Sequence, residues 1–140
     1  MILYCDTSAL LKLYITEPDG DLVKAKLTEA EAVVVCRIAW AEAHAALSRR
    51  AREVPEDAAV IEQVKQALAT DWPRYVLMEI NQALVERAGE YADAFALRGY
   101  DSVQLAAAFE ASRIAQTPFC FACFDGRLNK AAKMLGMSVL

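Results

Sequence analysis

Four carboxylates in this chain sit where side chains of a folded domain can do chemistry. Asp6 closes the apolar run Ile2–Cys5, and Asp125 closes the run Pro118–Phe124. Glu42 falls in the first turn of a helix-like stretch that follows Ala32–Cys36, and Asp101 opens another such stretch. In an open parallel sheet, functional groups collect outside the C-terminal ends of the strands, so Asp6 and Asp125 are placed to meet. No Lys or Arg at helix spacing is expected to pair these acids locally. Carboxylates brought into one small volume cannot all ionise unaided: their pKa values rise or a cation neutralises them. Hard oxygen ligands without His or Cys select Mg²⁺ or Mn²⁺ over zinc.

Each acid also has a plain structural reading. Asp101-Ser102-Val103-Gln104 fits a capping box with Asp101 as the N-cap. Asp6-Thr7-Ser8 and Asp125-Gly126 are equally good helix starts. Trp40, Ala43, His44 and Leu47 make an apolar stripe, which leaves Glu42 at its edge beside Ala45 and Ala46, open to solvent or to a ligand. Periodicity alone leaves both readings standing.

The elements that must carry these residues follow from pattern. Strands are expected at Ile2–Cys5, Ala32–Cys36, Arg74–Ile80 and Pro118–Phe124, with a short final one at Ser138–Leu140. Helices are expected at Ser8–Ile15, Asp19–Ala30, Ala39–Arg52, Pro55–Trp72, Gln82–Leu97, Asp101–Ile114 and Gly126–Leu135. Pro55 stands at a first turn and Gly136 at a C-cap. Strands that read as apolar runs without alternation, separated by helices, indicate an α/β fold around a mainly parallel sheet. No linker or repeat divides residues 1–140, so one domain is expected.

Composition narrows the class. Of the 140 residues, 56% are hydrophobic and 24% charged, enough for a core and incompatible with disorder. The apolar runs are far shorter than the roughly 20 residues a membrane span needs. The N-terminus lacks a basic leader segment, which points to a soluble, cytoplasmic protein. A formal charge of −4 opposes bulk binding of nucleic acid, so such a partner must meet a local basic patch or bound cations. The cysteines (Cys5, Cys36, Cys120, Cys123) lie among apolar neighbours and read as reduced, buried thiols; Cys120-Phe121-Ala122-Cys123 has zinc-knuckle spacing but no second ligand pair.

Other residues have mostly structural readings. His44, the only histidine, lies on the apolar stripe and reads as a half-buried core residue. Trp72 and the Phe119–Phe124 cluster read as core. Arg49, Arg50 and Arg52 form one basic cluster, and Arg127, Lys130 and Lys133 form a line; solvated faces and phosphate contacts are both open to them. For Ser102 a bond to backbone and a role at the site are both open.

Four segments together resemble a known family. They are Leu3-Tyr4-Cys5-Asp6-Thr7-Ser8 with the apolar residues after it, Trp40-Ala41-Glu42, Leu97-Arg98-Gly99-Tyr100-Asp101-Ser102 with its alanine run, and Phe124-Asp125-Gly126-Arg127-Leu128-Asn129. In this order they are similar to a PIN domain, and more narrowly to the VapC toxins of VapBC toxin–antitoxin pairs. The resemblance implies a three-layer α/β/α sandwich and an endoribonuclease whose acids, matched here by Asp6, Glu42, Asp101 and Asp125, bind Mg²⁺ or Mn²⁺. It implies a VapB-like antitoxin whose C-terminal segment covers the acidic site, an RNA substrate and a homodimer. It also implies that Ser8 assists an acid or a metal-bound water. Two positions depart from the family pattern: Cys123 stands where a hydroxyl residue is frequent, and Asn129 where a further acid is frequent. The competing classes are a catalytically degenerate PIN-like interaction module and a receiver-type signalling domain. The intact acids disfavour the first, and the third strand's ending Met78-Glu79-Ile80-Asn81, with no acceptor aspartate, disfavours the second.

Overall fold

A computed structural model describes residues 1–140. Five parallel strands, β1 (Ile2–Cys5), β2 (Ala32–Cys36), β3 (Val76–Met78), β4 (Phe119–Ala122) and β5 (Ser138–Val139), form one sheet in the order β3-β2-β1-β4-β5. Seven helices connect them: α1 (Thr7–Leu11), α2 (Gly20–Glu29), α3 (Ala39–Glu53), α4 (Ala58–Asp71), α5 (Gln82–Phe95), α6 (Gly99–Ile114) and α7 (Gly126–Met134). None is long and apolar enough to cross a membrane.

Strand pleating sorts the core into two layers. Leu3, Cys5, Val33, Val35, Cys120 and Ala122 face Leu10, Val23, Leu47, Ile61 and Leu68, which α1 to α4 supply. Tyr4, Val34, Cys36, Phe121 and Cys123 face Leu84, Ala88, Leu105 and Leu128 from α5, α6 and α7. Helices cover both faces, which is why the strands show apolar runs instead of alternation. The three-layer α/β/α sandwich expected from the sequence is the observed fold. The same pleat puts Cys120 and Cys123 in opposite layers, so the zinc-knuckle spacing brings no ligand pair together. All the cysteines are free and buried.

Several boundaries differ from expectation for local reasons. The helix expected at Ser8–Ile15 ends at Leu11, because the bonds Lys12 N→Ala9 O, Leu13 N→Leu10 O and Tyr14 N→Leu11 O tighten the chain into 3₁₀ turns. Pro55–Asp57 and Trp72–Arg74 are likewise short 3₁₀ turns, which trims both α4 and β3. At the end of α7, Gly136 N donates to Lys133 O and Met137 N to Ala132 O, a Schellman stop. Gly136 takes the left-handed φ of 85° that this stop requires.

The strand order reverses direction between β1 and β4. Such a switch point opens a crevice at the C-terminal ends of the two strands. Cys5 stands beside Ala122 in the ladder, and Asp6 N still donates to Ala122 O at 3.1 Å. The residues that leave these two strands therefore begin side by side.

Candidate active site

Asp6 is the first residue beyond β1. Its extended backbone (φ −69°, ψ 174°) turns the carboxylate onto the start of α1, where Oδ1 accepts from Ala9 N at 2.9 Å and Ser8 Oγ at 2.7 Å. It is only 7% exposed. Asp125 leaves β4 in the same way, its Oδ1 accepting from Leu128 N at 3.0 Å as the N-cap of α7. For these two acids the capping reading is correct, and in each the cap engages Oδ1 alone.

Glu42 comes from the first turn of α3. Its Oε1 accepts from Thr7 Oγ1 at 3.0 Å and from Gln104 Nε2 at 2.8 Å. Gln104, 2% exposed on α6, in turn accepts from the hydroxyl of Tyr4 at 2.7 Å. This chain of bonds runs from the core of β1 to the rim of the crevice and leaves each of its polar groups partnered.

Asp101 corrects the capping-box expectation. α6 starts at Gly99 with Arg98 in the N-cap position, so Asp101 lies inside the first turn and caps nothing. Ser102 Oγ donates to the carbonyl of Gly99 at 2.6 Å, the backbone-bonding one of its two readings. Freed from capping, Asp101 and Gln104 both project to the crevice. Asp101 also has a local partner that the sequence reading did not anticipate: Arg98 Nε approaches its Oδ2 at 3.4 Å. The basic residue precedes the acid by three positions, which is helix spacing once the helix begins at Gly99.

Asp6, Glu42, Asp101 and Asp125 all line one open cavity of about 280 Å³. Their electrostatics reflect this crowding. Burial pushes the Asp6 carboxyl up, while the bonds from Ser8 and Ala9 pull it down and Asp101 pushes it up again. Burial likewise raises Glu42 against the bonds from Gln104 and Thr7, and the charges of Asp6 and Asp101 add to the rise. Burial raises Asp101, Arg98 opposes it and Asp125 reinforces it. A cation among them would relieve all three.

The donors are carboxylate, hydroxyl and amide oxygens, a hard set that could hold Mg²⁺ or Mn²⁺. No three of the His, Cys, Asp and Glu side chains stand in a ready-made coordination cluster. Each acid is held by its own partners: Asp6 by Ser8 and Ala9, Glu42 by Thr7 and Gln104, Asp125 by Leu128 and Asp101 by Arg98.

The remaining candidates fall outside the cavity or support it from behind. Cys123 accepts from Asp125 N at 3.3 Å, so the thiol serves the turn that a hydroxyl would serve. Asn129 Nδ2 donates to Cys123 O at 2.9 Å, which ties α7 to the end of β4. His44 bonds the carbonyl of Trp40 at 2.8 Å and packs on its ring at 4.5 Å, away from the acids. Arg49 pairs with Glu53, and Arg50 with Glu17 and Asp57, so two of that cluster's three arginines are held in surface ion pairs. Thr7, Gln104 and Arg98 are the site residues that sequence reasoning missed. The one available signal was Gln104, an amide set against the apolar run Leu105–Ala108.

Known proteins resemble this chain in sequence and in fold. Residues 3–134 match the PIN domain family. The chain is similar to Ribonuclease VapC45 of Mycobacterium tuberculosis, 30% identical over 138 residues, covering 99% of this chain and 94% of that protein. Its fold is similar to that of VapBC2 from Rickettsia felis, solved bound to a promoter DNA fragment, with TM-score 0.67 at 13% identity over 100% of this chain and 98% of the other. A toxin–antitoxin complex from Klebsiella pneumoniae has TM-score 0.59 at 18% identity, covering 86% of this chain and 84% of that one. A family match over nearly the whole chain, joined to a full-length relative of this identity, means that the chain belongs to the PIN domain family, in its VapC branch.

Proposed function

We propose that this protein is a cytoplasmic, metal-dependent endoribonuclease, the toxin of a type II toxin–antitoxin pair, working as one domain over residues 1–140. The observation that carries this reading is the convergence of Asp6, Glu42, Asp101 and Asp125 on one cavity at the switch point between β1 and β4. The relative named a ribonuclease and the toxin–antitoxin complexes of the same fold support it.

Asp6 and Asp101 would be the central ligands of Mg²⁺ or Mn²⁺, with Glu42 and Asp125 completing the site directly or through water. When bound, the ion lowers the pKa of a water and offsets charge that builds on the scissile phosphate. The chain's own residues do the positioning. Ser8 and the Ala9 amide hold one oxygen of Asp6, so its other oxygen keeps a fixed direction. Thr7 and Gln104 do the same for Glu42. Fixed donors avoid reorganisation during reaction, which is where such sites gain most of their rate. No histidine base is needed, in keeping with the structural role of His44.

A VapB-like antitoxin would cover the acidic cavity, and the toxin itself would form a homodimer. The test of the nuclease reading is Asp101→Asn. Asp101 caps nothing, so asparagine leaves the fold intact while removing a ligand charge. Wild type should arrest growth when expressed without antitoxin and cut RNA in Mg²⁺ or Mn²⁺ but not in EDTA. Asp101→Asn should do neither, with unchanged circular dichroism; a variant that cuts at the wild-type rate would refute the carboxylate mechanism.

A further inference from the structure

A second cavity, of about 300 Å³, opens beside the acid-lined one and shares Arg98, Asp101 and Asp125 with it. Two guanidinium groups frame it, those of Arg98 and Arg127. Neither is committed to a strong ion pair. Arg98 is 71% exposed in its side chain and meets Asp101 through one long contact of 3.4 Å, with its guanidinium 5.1 Å above the Tyr100 ring. Arg127 bonds only a neutral group, the carbonyl of Ala96, at 3.1 Å.

The backbone that receives Arg127 is unusual. Ala96 takes a left-handed φ of 53°, a conformation that non-glycine residues rarely adopt. Strain of this kind collects where a fold must hold a particular arrangement. Here it ends α5 abruptly and turns the chain so that Arg98 heads α6 within the same small volume as the first turn of α7, which carries Arg127. The two guanidinium groups stand beside Asp101 and Asp125 in the same lining, and they are the cavity's only cations.

We infer that Arg98 and Arg127 form a clamp for the phosphodiester next to the scissile one, so that an RNA strand runs from this cavity into the acid-lined one. The inference rests on the ribonuclease reading and adds where the strand enters. A polyanion approaching four carboxylates is repelled unless a fixed positive subsite holds the neighbouring phosphate. The planar guanidinium fork suits phosphate oxygens, and two forks on one group give both affinity and orientation. Arg98 exchanges its loose contact with Asp101 for the phosphate, and Asp101 is left free for the cation.

The test measures binding of a fluorescein-labelled single-stranded RNA in Ca²⁺ by anisotropy, across a series of NaCl concentrations, and cleavage of the same RNA in Mg²⁺. The variants are Arg98→Ala, Arg127→Ala and Arg127→Gln, the last of which keeps a donor for Ala96 without the charge. Arg49→Ala, which loses only the surface pair with Glu53, is the control. Each clamp variant should raise Kd about tenfold and lower the slope of log Kd against log salt by about 0.7, one single-strand phosphate contact. KM should rise with kcat little changed, and Arg49→Ala should match wild type. Unchanged Kd and slope in folded Arg98→Ala and Arg127→Gln, with wild type binding and cutting normally, would overturn the clamp alone. A wild type that neither binds nor cuts RNA would overturn the clamp and the ribonuclease reading together.

Discussion

Replacing Gln104 with leucine removes the one side chain that joins the core to the acidic rim. Tyr4 is fully buried, and Gln104 Oε1 at 2.7 Å is the acceptor for its hydroxyl. Leucine fills a similar volume but leaves that hydroxyl unsatisfied, which costs about 1–3 kcal/mol. Glu42 loses a donor at 2.8 Å but keeps Thr7 and an open side toward water, so this loss adds about 1 kcal/mol. Gln104→Leu should therefore destabilise the protein by about 2–4 kcal/mol, read by urea unfolding at neutral pH. The diagnostic is the second variant. Tyr4→Phe removes the stranded hydroxyl, so Tyr4→Phe with Gln104→Leu should be more stable than the sum of the singles predicts, by about 1–2 kcal/mol. Strict additivity, or a Gln104→Leu loss under about 0.5 kcal/mol, would refute a buried network with Gln104 at its centre.

Three further expectations concern charge and assembly. Asp6 has a raised folded pKa, so its ionised form opposes folding at neutral pH, and the penalty disappears as pH falls through that raised value toward the ordinary carboxylate range. In EDTA, Asp6→Asn should melt higher than wild type at pH 7.5, since asparagine caps as well, and the gap should close by about pH 4; a variant that melts lower at pH 7.5 would reverse this sign. By calorimetry, Asp6→Asn should bind Mn²⁺ more weakly than wild type. Arg98→Ala should bind it more tightly, because a guanidinium 3.4 Å from Asp101 competes with the ion; equal affinities in all three would remove both residues from the cation site. Light scattering at micromolar concentration should give about twice the 15.4 kDa chain mass, and a monomer throughout would rule out the dimer.

Much of this protein was legible in one dimension. Apolar runs such as Ala32–Cys36 read as strands covered on both faces, and the acids that close Ile2–Cys5 and Pro118–Phe124 were expected at the C-terminal edge of one parallel sheet. Those are properties of strand pleat and chain direction, which local composition encodes. What the fold alone decided is which side chains share a volume. Strand order β3-β2-β1-β4-β5 is not chain order, and it sets Gln104 against Tyr4 and Glu42, partners far away along the chain. The true start of α6 depended on the left-handed turn at Ala96, to which Arg127 is bonded from α7. Local pattern therefore left the capping reading of Asp101 open, started α6 two residues late and overlooked Arg98. Pleating also sent Cys120 and Cys123 to opposite layers, which no spacing rule shows. Local propensity depends on a residue's near neighbours in sequence, whereas a site is a set of long-range contacts whose geometry exists only once the sheet has closed its order.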